Sequence, residues 1–236
     1  MGDCSFPLNK KVREKYKFPV CETPTCEEEC TTDHIEYLNE IYEDIQIILK
    51  QEKMNEQEIK QIIKPENGIE TAIIGSADFV EGCSYGRPRS GHPEGQVIYH
   101  IKEVLENIDK FYGDDEDRKD LRLIAILHDT FKHKVDRTKP RTGENHHGMI
   151  ARRFAEKFTS DTCILKLIEL HDEAYNSWSM GGRRADWYGA ERRANQLIQG
   201  LLIEGDLDLY VKFFKCDNRT GDKEQENYEW FINLIK

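Results

Sequence analysis

No run of about 18 apolar residues occurs in this chain of 236, so no membrane-spanning helix is expected. The first residues, MGDCSFPLNKK, hold no apolar signal segment, and secretion is not expected either. Gly2 does not make a myristoylation site, because position six is Phe6 rather than Ser or Thr. Positive charge is in deficit: 34 Lys and Arg face 45 Asp and Glu, a net charge of −11, which argues against a general nucleic-acid surface. There is no internal repeat, no low-complexity tract and no convincing alternation of apolar and polar residues, so no sheet is expected. The seven cysteines are odd in number, and with no export signal they fit a reduced, cytoplasmic setting. Cys21, Cys26 and Cys30 cluster within CETPTCEEEC, but their spacing matches no common zinc or iron–sulfur pattern. Cys83, Cys163 and Cys216 sit singly in apolar contexts and are expected to be buried thiols.

What is present is helical periodicity. Residues 1–32 read as an irregular arm. Asp33 can cap a helix carrying Ile35, Leu38, Ile41, Tyr42, Ile45, Ile48 and Leu49. A shorter helix over Glu56–Lys64 ends before Pro65, and one or two short helices fit Glu66–Cys83. The loop YGRPRSGHPEG, Tyr85 to Gly95, precedes a helix from Gln96 to Phe111. The central stretch LRLIAILHDTFK, Leu121 to Lys132, reads as a buried helix running to about Lys132. Further helices are expected from the stripe Ile150–Phe158, over Asp161–His171, over Trp187–Ile203 after a Gly/Arg-rich break at Met180–Arg184, from Asp206, and over Glu224–Ile235. The chain is therefore expected to be all-α, with a polar loop over Lys134–Glu144.

Several of these stripes contain or end on a metal-ligating type of side chain. His100 lies on the face of Val97 and Val104, and His128 continues the stripe of Leu121, Ile124 and Ala125, with Asp129 beside it. His147 is in phase with Ile150, Ala151, Phe154 and Phe158, whereas His146 projects about a hundred degrees away. His171 continues Ile164, Leu167 and Ile168, and Asp217 follows Tyr210, Phe213 and Phe214. A histidine and a carboxylate driven into an apolar face are costly unless something pairs with them. One such residue is usually core, but coincidence on five separate helices points to a shared interior of the kind that builds di-metal sites in helical bundles. Four histidines and two aspartates suit Fe or Mn, with Zn, Co, Ni and Mg as substitutes, and exceed what one tetrahedral zinc needs. Two divalent metal ions sharing Asp129 as a bridge would use this set.

The ordered set His100, His128-Asp129 and Asp217 resembles the HD superfamily of metal-dependent phosphohydrolases. Lys132 completes an HD-x-x-K pattern similar to the dinuclear branch, whose two intervening histidines match His147 (or His146) and His171. The segment HPEGQVIYH, His92 to His100, is also similar to the HD portion of some bacterial tRNA nucleotidyltransferases. The resemblance covers about Ser90 to Asp222. It implies an HD-type helical bundle over 85–236, with 1–84 as an N-terminal arm and helical extension. Carried over, one metal would be held by His100, His128, Asp129 and Asp217, the second by Asp129, His147 and His171. A hydroxide between them would be the nucleophile, and Asp129 and Lys132 would be the catalytic pair.

The implied function is hydrolysis of a phosphate ester of a small molecule such as a nucleotide. Its rivals are a mixed-valent di-iron oxygenase on the same site and a non-catalytic nucleotide sensor. Local charge favours an anion: Lys132, Lys134, Arg137, Lys139 and Arg141 stand against Asp136 alone, and Arg87 and Arg89 precede the first ligand helix. Arg87, Arg89, His92, Lys134 and Arg137 are the candidate substrate contacts. His34 and His133 read as surface residues. Homo-oligomerisation is left open.

Overall fold

The computed structural model describes residues 54–88 and 90–236. The expected helix carrying Ile35 to Leu49, the Cys21–Cys26–Cys30 cluster, His34 and Arg89 lie outside them. Among the described residues the chain folds into helices joined by turns and loops, with an isolated antiparallel bridge between Gly86 and Gln96. That bridge closes the Tyr85–Gly95 loop. Gly86 has φ +111°, and a Cβ there would meet the Gly95 carbonyl oxygen at 2.5 Å, so both the backbone and the space require glycine.

Helix α1 (Glu56–Ile63) begins with a capping box. The Asn55 side chain accepts from the N–H groups of Gln57 and Glu58, while the Glu58 carboxylate accepts from the Asn55 N–H. Helices α2 (Gly68–Ile74) and α3 (Ala77–Cys83) follow, resolving Glu66–Cys83 into two short helices. Then come α4 (Val97–Tyr112) and α5 (Arg118–Leu127), the latter buried from Leu121 to Leu127. Around α5 pack α4, α6 (His147–Ala155), α7 (Thr162–Leu170) and α10 (Leu207–Asn218). Residues from α1 to α3, including Ile59, Ile73 and Phe79, join the same hydrophobic cluster as Ile124 and Phe213. A buried ion pair fastens α2 to α5: Arg122 donates to both carboxylate oxygens of Glu70 at 3.0 and 2.8 Å.

Two helix assignments from the sequence need correction. The central helix stops at Leu127 instead of reaching Lys132. His128 still donates its N–H to Ile124, but from Thr130 onward the bonds run to the third residue back: Thr130 to Leu127, Lys132 to Asp129, Lys134 to Phe131. The chain has tightened into 3-10 geometry, in which side chains three apart eclipse. That brings the Lys132 ammonium onto the Asp129 carboxylate. The second correction is at Met180–Arg184, which is no break but the last turn of α8 (Glu173–Arg184). Gly181 serves close packing there, since a Cβ would lie 2.2 Å from the ring of Trp187 at the start of α9 (Trp187–Glu204). Helix α11 (Glu226–Ile235) closes the chain against α8, α9 and α10. Cys83 and Cys216 are buried as expected, whereas Cys163 is only half-buried.

Candidate metal centre

The side chain of Asp129 is the hub of the site. Its Oδ1 lies 3.2 Å from His171 Nε2 and 3.3 Å from His147 Nε2. Its Oδ2 faces the other way, 3.5 Å from His100 Nε2 and 3.7 Å from His128 Nε2, and accepts from Lys132. Asp217 Oδ1 stands 3.1 Å from His100 Nε2 and 4.0 Å from His128 Nε2. Among the described residues four groups of donor atoms could each hold a cation; two lie around Asp129, His100–His128–Asp217 and Asp129–His147–His171, and the other two are His92–Glu94–His100 and His146–His147–Asp172. Asp129 touches both of the first two.

Local folding sets the ring orientations. His128 and His171 each follow the last turn of a helix and donate Nδ1–H to the carbonyl three residues back, Ala125 and Ile168, at 2.9 Å. A carbonyl only accepts, so Nδ1 carries the hydrogen and a neutral ring turns a bare Nε2 toward the cluster. There His128 Nε2 meets His100 Nε2 at 3.1 Å, and His171 Nε2 meets Asp129 Oδ1 and, at 3.2 Å, His147 Nε2. Lone pairs directed at other acceptors need a proton or a metal cation between them. The donor set therefore fits divalent metal.

The electrostatics agree. Burial pushes the His128 imidazole down to about 3, the neutral form a ligand needs, and burial also lowers His147. Burial opposes charge on Asp129 and Asp217, but Lys132 beside the first and Lys223 beside the second, together with the histidines, hold both carboxyls far below the usual range. Burial works against protonation of His171 as well, yet Asp129 draws its pKa upward.

Over this cluster opens a cavity of about 870 Å³, lined among others by His92, Lys132, Arg137, Arg141, Asp172 and Arg184. That is small-molecule size. Of the candidate substrate contacts, His92 and Arg137 line the cavity, Arg137 donating to the Tyr85 hydroxyl at 2.8 Å, and the catalytic candidate Lys132 lines it as well. Arg87 is exposed and absent from the wall. Lys134 is absent too, held in an ion pair with Asp78. His133 departs from the surface expectation: its ring stacks on Phe131, and its Nδ1 lies 3.1 Å from the Thr130 carbonyl oxygen.

The adjacent histidines take different parts. Helix α6 begins at His147, whose ring enters the cluster, while His146 is the extended residue before it and accepts at Nδ1 from the Gly148 N–H. His146 Nε2 then bonds Asp172 Oδ2 at 3.2 Å.

Three residues were missed in the sequence. Asp172 lies 3.9 Å from His147 Nε2. Burial opposes its charge, but His146 and the neighbouring imidazoles hold its pKa far below the usual carboxylate range. The signal was the second His-Asp pair, His171-Asp172. Glu94, almost fully buried, lies 2.9 Å from His92 Nδ1 and 3.5 Å from His100 Nδ1. Burial raises its pKa, but those two histidines outweigh it and bring it to about 2. Lys223 binds Asp217 through Oδ1 at 3.1 Å and through the carbonyl at 2.9 Å.

Residues 97–203 match the family model of the HD domain. The chain carries an HD domain. The HD domain belongs to a superfamily of helical metal-dependent hydrolases, most of them phosphohydrolases, and the His–Asp clusters here can hold divalent metal. The matched segment contains His100, His128, Asp129, His147 and His171; Asp217 lies beyond it and comes to the cluster on α10. No curated protein and no solved structure gives a significant match to the chain, so the likeness to tRNA nucleotidyltransferases finds no further support.

Proposed function

We propose that this HD-domain protein is a phosphohydrolase that cleaves a phosphate ester of a small molecule, of nucleotide size, with water. The observation that carries the reading is Asp129 turning one oxygen to each histidine pair in a cavity whose wall includes Lys132, Arg137 and Arg141. His100, His128 and Asp217 would hold one divalent cation and His147 and His171 the other, with Asp129 shared. Iron or manganese suits the set best. Such a pair of cations supplies Lewis acidity and a water acidic enough to attack at neutral pH.

The rest is the work of the protein. Lys132, on the cavity wall and bonded to Asp129 Oδ2, carries an ammonium suited to a phosphoryl oxygen. Arg137, tethered to Tyr85, and His92, held by Glu94, are suited to grip non-reacting oxygens. The balance is ester plus water giving phosphate and alcohol. The test is metal analysis of the purified chain joined to a panel of phosphomonoesters and phosphodiesters, with oxygen uptake followed in parallel. Phosphate release that depends on bound metal supports the reading. Oxygen uptake by the iron-loaded chain without phosphate release would replace it with oxygenase chemistry.

A further inference from the structure

The cavity is lined by five Lys or Arg side chains and five Asp or Glu, although the chain as a whole carries −11. Five acids line it, and each has a basic partner: Glu94 with His92, Asp129 with Lys132, Glu169 with Arg152, Asp172 with His146 and Glu173 with Arg193. Arg137, Arg141 and Arg184 also line it, and none of the three has an acidic partner among the described residues; Arg137 is bonded to the Tyr85 hydroxyl. Arg141 and Arg184 are exposed, and each turns a guanidinium with no acid beside it toward the cavity, where a ligand can bring the anion.

The position of Arg184 gives that ligand a length. Helix α8 starts two residues after His171 and presents Glu173, Asn176, Met180 and Arg184 to the cavity, a spacing of three, four and four that forms one face. At about 1.5 Å per residue, the far end of this face lies roughly 16 Å along the axis from the near end. Helical side chains lean toward the N-terminus, so the guanidinium reaches to on the order of 10–15 Å from the metal-proximal end. Between the two ends lie the amide of Asn176, the hydroxyl of Ser179 and the thioether of Met180. That lining suits an uncharged spacer with some hydrogen-bonding groups.

We propose that Arg184 is a second anion-binding subsite, and that the substrate is an elongated phosphate ester carrying another anionic group beyond a nucleoside-sized spacer. This rests on the phosphohydrolase reading above, but it can fail separately.

The test uses the full chain loaded with manganese and two pairs of probes, octanediol bisphosphate against octyl phosphate and propanediol bisphosphate against propyl phosphate. One charge-assisted contact should favour the long bisphosphate over octyl phosphate by about tenfold in kcat/KM, with no such preference in the short pair. Arg184→Ala should bring the long pair to parity, and Arg184→Lys should keep part of the preference. A long-pair preference that is absent, that survives Arg184→Ala, or that is lost only in Arg141→Ala overturns the proposal. Calorimetric binding of the same probes separates the two readings. If nothing is hydrolysed but octanediol bisphosphate binds in an Arg184-dependent way, the subsite stands and the hydrolase reading falls. Hydrolysis of all four probes with no preference in either pair leaves the hydrolase and removes the subsite.

Discussion

His171 Nε2 lies 3.2 Å from Asp129 Oδ1 while its Nδ1–H is already given to the Ile168 carbonyl, so a neutral ring meets the carboxylate with a lone pair, and a proton or a metal cation must sit between them. His147 shares the same oxygen, and His100 and His128 flank the other. Asp129→Ala should therefore remove metal from both positions. Metal analysis is expected to fall from two equivalents per chain to none held tightly. Retention of two equivalents would sink the shared-carboxylate arrangement.

The two adjacent histidines should separate cleanly. His147→Ala is expected to leave one equivalent, held by His100, His128, Asp129 and Asp217, with activity largely lost. His146→Ala removes only the partner of Asp172 and should keep two. Counting metal on both variants decides, and loss of one equivalent from His146→Ala alone would reverse the assignment.

Glu94 is the buried carboxylate behind His100. Outer-shell carboxylates that orient a ligating imidazole typically matter by about 10- to 100-fold in metal affinity, and Glu94→Ala should fall in that range. Glu94→Gln can still accept a bond at one oxygen and should lose less. Competition against a graded chelator reads the affinity directly; identical affinities in the three proteins would assign Glu94 to packing.

The Glu70–Arg122 pair predicts a stability asymmetry. Glu70→Ala leaves the buried guanidinium with only Glu66 at 3.3 Å and the Lys64 carbonyl oxygen at 3.4 Å and should cost about 3 kcal/mol, while a Glu70→Leu, Arg122→Met double variant should recover most of it. Urea unfolding of the three proteins tests this. A single variant as stable as wild type would mean that the guanidinium finds water.

Burial pushes the Cys216 thiol up to about 12 and the Cys83 thiol further. Folding thus favours the protonated thiol. The associated stability is full below the ordinary thiol range and is lost as pH rises toward the folded values. Both cysteines should resist alkylation at mildly alkaline pH until the chain is unfolded, as peptide mass mapping would show. Rapid native labelling of either would contradict the burial.

Periodicity carried the sequence reading a long way because the ligands ride on apolar stripes. His100, His147, His171 and Asp217 continue faces that the core must bury, and the structure brings these residues together. What periodicity could not reach lies off the helices. Glu94 sits in a loop, Asp172 sits in a turn, and Lys223 follows the last ligand helix. Lys134 looked like part of a phosphate grip because its local stretch is basic; its partner, Asp78, is 56 residues earlier. Helix α8 was missed because Gly181 and Gly182 read as a break, when the space at Gly181 is filled by Trp187.

Tyr210 is fully buried on α10, one helix with Asp217. Its hydroxyl donates to the Leu170 carbonyl oxygen at 3.1 Å and accepts from the Ala174 N–H at 3.1 Å, bridging the junction between α7 and α8 where His171 and Asp172 sit. The helix that brings Asp217 to one cation position thus also pins the corner that brings His171 to the other. Loosening either end would disturb both. The loss of conformational entropy that ordering these ligands entails is borne when the chain folds, and cations arriving later meet donors already in place.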